Sequence, residues 1–227
     1  MSRVVLVTGT DTGVGKTWIS CGLLRSWRSD GLRLAARKPA ETGCEERAGS
    51  LHPADATALA RAAGGGESVE AVCRWRFAEP LAPAVAAARA GRRIDTAAIA
   101  ADCRARASEV DLLLVEGAGG LLVPVDGRET FADLACAIGA RLVVVVAARL
   151  GAINHAMLTI GEARARGLEV AAVVVNHVLP GRDLATDTLA ATLADLGACG
   201  TIVETPHGEV PDRALAATAR AIADGRS

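Results

Sequence analysis

Lysine is nearly missing from this 227-residue sequence: of 25 basic residues only Lys16 and Lys38 are lysines, and the rest are arginines. Arginine therefore serves wherever a generic surface cation is enough. The two lysines mark positions where a compact ammonium with rotatable donors is wanted in place of a planar guanidinium. Excess charge of one sign is also lacking. With 25 basic and 26 acidic residues the net charge is -1, which excludes the basic footprint of a nucleic-acid-binding protein. No apolar run approaches the roughly 20 residues needed to cross a bilayer, so the runs at 4–7, 112–115, 142–148 and 170–175 read as buried strands. The N-terminus enters such a strand with no charged leader, long apolar region or cleavage site. That predicts a cytoplasmic protein without a secretory signal and without a membrane partner. The six cysteines (Cys21, Cys44, Cys73, Cys103, Cys136, Cys199) form no C-x-x-C pair and sit mostly in apolar stretches. A zinc site or disulfide framework is thereby excluded, and buried reduced thiols are expected. Internal repeats and interdomain linkers are absent, so the length predicts one domain over residues 1–227.

What is present is an alternation of short β-rich runs with longer Ala/Leu/Arg stretches. Strands are expected at 4–8, 33–37, 112–115, 142–147, 170–175 and 201–203. Helices are expected at 17–29, 55–63, 95–107, 130–137, 153–166, 184–196 and 212–223. Residues 44–50 and 64–66 read as exposed loops. Solid Val/Leu runs without in/out alternation require cover on both faces. The fold class is therefore α/β: a doubly wound sheet of about six or seven mostly parallel strands, with ligands at the carboxyl ends of the strands.

The first strand runs into Gly9-Thr10-Asp11-Thr12-Gly13-Val14-Gly15-Lys16-Thr17, which opens a helix. This is the context of a phosphate-binding loop. Backbone N–H groups converge on phosphate oxygens, the helix N-terminus adds its dipole, Lys16 reaches the terminal phosphates, and the Thr17 hydroxyl suits magnesium. The generic pattern has glycine where this chain has Thr10, with its own glycine one residue earlier.

Glu116 follows a buried strand and precedes Gly117-Ala118-Gly119-Gly120, the place for a second magnesium contact beside such a loop. Lys38, at the end of the second strand before Pro39 and Thr42-Gly43, is placed to neutralise a phosphoryl group or a carboxylated substrate. Asp55 opens a helix, either as a capping or first-turn acid or as a further magnesium contact, and spacing does not choose between these. Asn176, at a strand end, has an amide suited to reading an adenine edge. His155 and His177 have no metal-ligand spacing.

These blocks together resemble dethiobiotin synthetase: 7–12 with 14–17, Lys38-Pro39 with Thr42-Gly43, 115–120, and Gly151 with Asn154-His155-Ala156, in family order over nearly the whole chain. The displaced glycine of the loop is the form this family uses. The resemblance implies a magnesium- and ATP-dependent ligase that joins carbon dioxide to 7,8-diaminopelargonic acid, through a carbamate and its mixed anhydride with phosphate, to close the urea ring of dethiobiotin. It implies nucleotide contacts at Thr12, Gly13, Val14, Gly15, Lys16, Thr17 and Trp18, at Gly117, Ala118 and Gly119, and at Asn176 and His177. Magnesium falls to Thr17, Asp55 and Glu116, and catalysis to Lys16 and Lys38. Substrate contacts fall to Thr12, Lys38 and Thr42. Gly151, Ala152, Ile153 and Asn154 act from the second subunit of a homodimer, where a helix N-terminus captures the distant carboxylate. The chain departs from the family at His177, where many members have an acid, at Thr205-Pro206-His207, and at the apolar segment Pro80-Leu81-Ala82-Pro83-Ala84. Two rivals share the core. A switch-type positioning or partitioning ATPase has a lysine where this chain has Asp11, with a basic face or amphipathic tail not visible here. An ATP-dependent amidating enzyme needs a glutaminase domain.

Overall fold

Val/Leu runs with no polar face must be buried on both sides, and the chain arranges them accordingly. The computed structural model describes residues 3–225. In chain order the elements are β1 (Val4–Gly9), α1 (Lys16–Ser29), β2 (Leu34–Arg37), β3 (Ala40–Thr42), β4 (Glu45–Arg47) and β5 (Ser50–His52). Next come α2 (Ala54–Ala62), α3 (Val69–Val72), β6 (Trp75–Phe77), α4 (Pro83–Arg89), α5 (Thr96–Glu109) and β7 (Leu112–Gly120). There follow α6 (Phe131–Ala137), β8 (Arg141–Ala147), α7 (Ala152–Ala165), β9 (Val170–Asn176), α8 (Leu184–Asp195), β10 (Ile202–Thr205) and α9 (Asp212–Ala223).

The central sheet has six strands in the order β10-β9-β8-β1-β7-β2, every pairing parallel. This is the doubly wound α/β sheet expected from the sequence. The apolar runs divide between its faces with period two. Leu6, Leu113, Val115, Val144 and Val175 enter the core under α5, α6, α7 and α8. Val5, Val7, Leu114, Val145 and Val174 enter the core under α1, α2 and α9. The chain steps from β1 out to β2, returns to β7, and crosses β1 to reach β8. The strand order reverses beside β1, and the carboxyl ends of β1 and β7 open a crevice there. Among the described residues no helix is long and apolar enough to cross a membrane.

Several local expectations are corrected. Residues 44–50 are not an irregular loop: β4 and β5 form an exposed antiparallel hairpin. Its strands are three residues each, Glu-Glu-Arg and Ser-Leu-His, too short and too polar to show the alternation that signals a strand. The parallel pair β3–β6 and the short α3 and α4 were not foreseen either, because each depends on pairing or packing with distant chain. β7 continues through Glu116 to Gly120, paired Gly9↔Gly120 beyond a register shift, so Glu116 lies within the strand. Cys21, Cys44, Cys73 and Cys103 are buried free thiols, whereas Cys136 is exposed and Cys199 half-buried. Cys136 lies in the last turn of α6, and Cys199 in the segment between α8 and β10.

Helix starts differ in a way that matters for function. α5, α6 and α8 begin on Asp95, Thr130 and Asp183, whose side chains cap the first-turn N–H groups. α1 and α7 begin on Gly15 and Gly151, both left-handed, with no side-chain cap and no acid in the first turn. Their orphan N–H groups stay available to an anion.

Candidate active site

The loop after β1 is shaped by what cannot fit there. A Cβ on Gly9 would lie 2.7 Å from Val14 and 2.8 Å from the Asp11 carbonyl. Thr10, by contrast, needs no positive φ, so the displaced glycine costs this loop nothing. The Thr10 N–H donates to the Val145 carbonyl at 3.0 Å, tying the loop to β8. Asp11 accepts from the Thr12 N–H and pairs with Arg149 at 2.6 Å, both exposed. The Thr12 N–H first, then Arg149, holds its carboxyl below the usual range.

Beyond the loop lies an open cleft of about 660 Å³. It brings together Thr12, Gly13, Gly15, Lys16, Thr17 and Trp18 with Lys38, Thr42 and Asp55, and with Ala118 and Gly119. Pro80, Leu81, Ala82 and Pro83 form its apolar wall. The two lysines singled out by composition both face this space. Lys16 Nζ donates to the Asp11 carbonyl at 3.2 Å. Burial, and then the neighbouring Lys38 charge, lowers its pKa.

Lys38 is 3% exposed and donates to Glu116 Oε1 at 2.6 Å and to Asp55 Oδ2 at 2.8 Å, with the Gly117 carbonyl at 3.4 Å. Burial opposes its charge, but the Glu116 and Asp55 carboxylates override that and raise its pKa. Burial likewise opposes the Asp55 charge, and Lys38 followed by the Thr17 hydroxyl brings its carboxyl below the usual value. Asp55 sits in the first turn of α2 and is not its cap; the N-cap is Pro53.

Glu116 is fully buried beneath the cleft. Its Oε1 accepts from Lys38 and from Thr17 Oγ1 at 2.8 Å, while its Oε2 is buried with no hydrogen-bond partner. An uncompensated carboxylate oxygen beside a hydroxyl and a second carboxylate is a donor set that fits a hard, oxygen-seeking cation. Among the described residues no group of three or more His, Cys, Asp and Glu side chains gathers in metal-binding fashion.

Not every expected residue reaches the cleft. Val14 is buried, and only its carbonyl is engaged, by Asn176. The Asn176 amide is committed within the protein, since its Oδ1 also accepts from Thr205 Oγ1 at 2.8 Å. The buried His177 ring faces Glu204 at 2.8 Å. Gly151, Ala152, Ile153 and Asn154 lie at the start of α7 and do not line the cleft of their own chain.

Glu41 escaped the sequence reading, and Thr205, noted there only as part of a departure from the family, holds the Asn176 amide. The buried Glu41 carboxylate accepts both the Asp55 and Ala56 N–H groups at 2.9 Å, capping α2 from β3 and fixing the backbone of Asp55. Burial chiefly raises its pKa. Its only signal was proximity to the Lys38-Pro39 block.

Comparison with known proteins agrees with this geometry. A family model described as an AAA domain matches residues 3–211. The ATP-dependent dethiobiotin synthetase BioD of Anaeromyxobacter dehalogenans strain 2CP-C is 46% identical over 194 residues, covering 86% of this chain and 85% of that protein. The protein of the same name from Anaeromyxobacter sp. strain Fw109-5 is 47% identical over 175 residues, 77% of each. Among solved structures, the septum site-determining protein MinD of Pyrococcus horikoshii, complexed with Mg-ADP, superposes with a TM-score of 0.62 at 12% identity, over 98% of this chain and 96% of that one. That likeness speaks for the fold alone. The match along most of both sequences, on a phosphate-loop sheet with both lysines in its cleft, means that the chain belongs to the ATP-dependent dethiobiotin synthetases, ligases of biotin biosynthesis.

Proposed function

We propose that the chain, as one domain over residues 1–227, closes the urea ring of dethiobiotin from 7,8-diaminopelargonic acid, carbon dioxide and ATP. One amine adds to carbon dioxide to give a carbamate. A carbamate oxygen attacks the γ-phosphorus and ADP leaves, which yields a carbamic-phosphoric mixed anhydride. The neighbouring amine then attacks the carbonyl carbon, phosphate departs, and the attacking nitrogen loses one proton, as the carbamate nitrogen did on adding to carbon dioxide, which leaves the cyclic urea.

The observation that carries this reading is Lys38. A buried ammonium held by Glu116 and Asp55 at 2.6 and 2.8 Å beside Lys16 is preorganised to meet negative charge on carbamate and phosphoryl oxygens, where each fixed cation lowers the barrier. Thr17, Asp55 and Glu116 would hold magnesium, which on binding supplies charge neutralisation at the β- and γ-phosphates. Residues 12–18 and Gly117, Ala118 and Gly119 cradle the triphosphate, and Asn176 with His177 lies toward the base. Thr12 and Thr42 contact the diamine. The uncapped start of α7 at Gly151, Ala152, Ile153 and Asn154 supports capture of the substrate carboxylate. Because it stands outside the cleft of its own chain, that role calls for the second subunit of a cytoplasmic homodimer.

Labelled bicarbonate, the diamine, ATP and magnesium should give an acid-stable labelled product with one ADP per urea, and Lys38→Gln should abolish it. ATP hydrolysis without fixed label would instead point to a switch ATPase.

A further inference from the structure

Three elements meet at Asn176, on the side of the phosphate loop away from Lys38. The side chain leaves the carboxyl end of β9 and donates through Nδ2 to the Val14 carbonyl at 2.9 Å. Its Oδ1 accepts from the fully buried Thr205 hydroxyl at the end of β10. Thr205 is held in turn, its carbonyl accepting from the His177 N–H at 3.0 Å. Gly15 makes room for this contact: at φ 90°, a Cβ there would run into Asn176 Nδ2.

The Val14 carbonyl and the Gly15 N–H belong to one planar trans peptide, so they point in opposite directions. Whatever holds the carbonyl toward β9 turns the N–H toward the cleft that Gly15 lines. A flipped Asn176 amide would set its oxygen against the Val14 carbonyl. The Thr205 hydroxyl, donating to Oδ1, favours the orientation that avoids this.

We propose that Thr205 is a positioning residue for nucleotide binding: its hydroxyl orients Asn176, which fixes the peptide joining Val14 and Gly15 with its N–H aimed at phosphate. The proposal rests on the reading of residues 9–17 as the phosphate loop. It predicts a latch felt by every nucleoside triphosphate, alongside any contact that Asn176 makes to the base.

The test is titration calorimetry of the full chain with the magnesium complexes of non-hydrolysable ATP, GTP and CTP analogues. Thr205→Val keeps the shape and removes the hydroxyl. It should weaken all three analogues by a similar factor, about tenfold for one buried hydrogen bond. In turnover the rise should fall on the nucleotide KM more than on kcat, and Thr205→Ser should restore binding. Unchanged affinity in Thr205→Val would overturn the proposal. So would a loss confined to the adenine analogue, since the Thr205 hydroxyl would then serve base reading alone, or a lowered Tm and kcat at unchanged KM, which is a purely structural role. Should Thr205→Val fold poorly, Thr205→Ala against Thr205→Ser provides the same comparison. Lys16→Gln separates the two levels. If it binds as well as the parent chain, the phosphate-loop reading itself fails; if it loses binding while Thr205→Val does not, only the latch fails.

Discussion

Lys38→Met removes a charge while keeping most of the side-chain volume, and it should be costly for stability as well as for activity. In the native chain the Nζ lies 2.6 Å from Glu116 Oε1 and 2.8 Å from Asp55 Oδ2. Glu116 is fully buried, whereas 40% of the Asp55 side chain is exposed. Breaking a buried pair by removing one partner costs about 3–5 kcal/mol, because it strands the other charge. The Asp55 contribution is discounted for solvent screening, so the low end, about 3 kcal/mol, is expected. At roughly 2–4 °C per kcal/mol for a chain of this size, Tm should fall by about 6–12 °C. Lys38→Met/Glu116→Gln removes both buried charges and should recover most of that loss.

The pH profile supplies an independent check. Lys38 has a raised pKa, so its share of stability is present below the unfolded lysine value, about 10.4, and is lost only as pH rises through the higher folded value. Asp55 has a lowered pKa. Its share is present above the unfolded aspartate value, about 3.9, and is lost as pH falls through the lower folded value. Lys38→Met removes this coupling, so the acid limb of the Tm profile below about pH 4 should flatten. Label fixation should drop by about 10²–10³, the scale for one lost charge-stabilising donor. Calorimetric scans of the parent, single and double variants across pH decide the matter. An unchanged Tm in Lys38→Met, or a double variant no more stable than the single one, would refute the buried-pair argument.

Glu41→Gln should cost about 1–3 kcal/mol, since a carboxamide sets an N–H₂ against one of the two backbone donors that the carboxylate now satisfies. Loosening the first turn of α2 should also raise the magnesium concentration needed for half-maximal turnover, with denaturant melts and a metal titration reading the two effects. Thiol titration of the native chain should modify Cys136 quickly and Cys199 slowly. Burial pushes Cys21 to about 11 and Cys73 and Cys103 to about 12 and also raises Cys44. All four should react only after unfolding, and prompt labelling of any of them would contradict the core packing.

The parallel sheet, the phosphate loop and the two lysines are legible in the sequence because each leaves a local mark. A short, β-branched Val/Leu run bounded by turn residues reads as a strand covered on both faces, a glycine-rich turn opening a helix has few uses, and a chain that uses arginine freely keeps lysine where shape matters. Lys16 and Lys38 lie 22 positions apart in sequence and line one cleft. What the tertiary structure alone decided is which distant groups meet. The pairing of β3 with β6, the reach of Glu41 across to α2, and the hold of Thr205 on Asn176 and of Asn176 on Val14 all join segments far apart along the chain. The same holds for the start of α7, predicted as a substrate contact yet outside its own cleft. Residue type and spacing constrain the backbone over a few positions. Contacts across the sheet are set by strand order and register, which are properties of the assembled core.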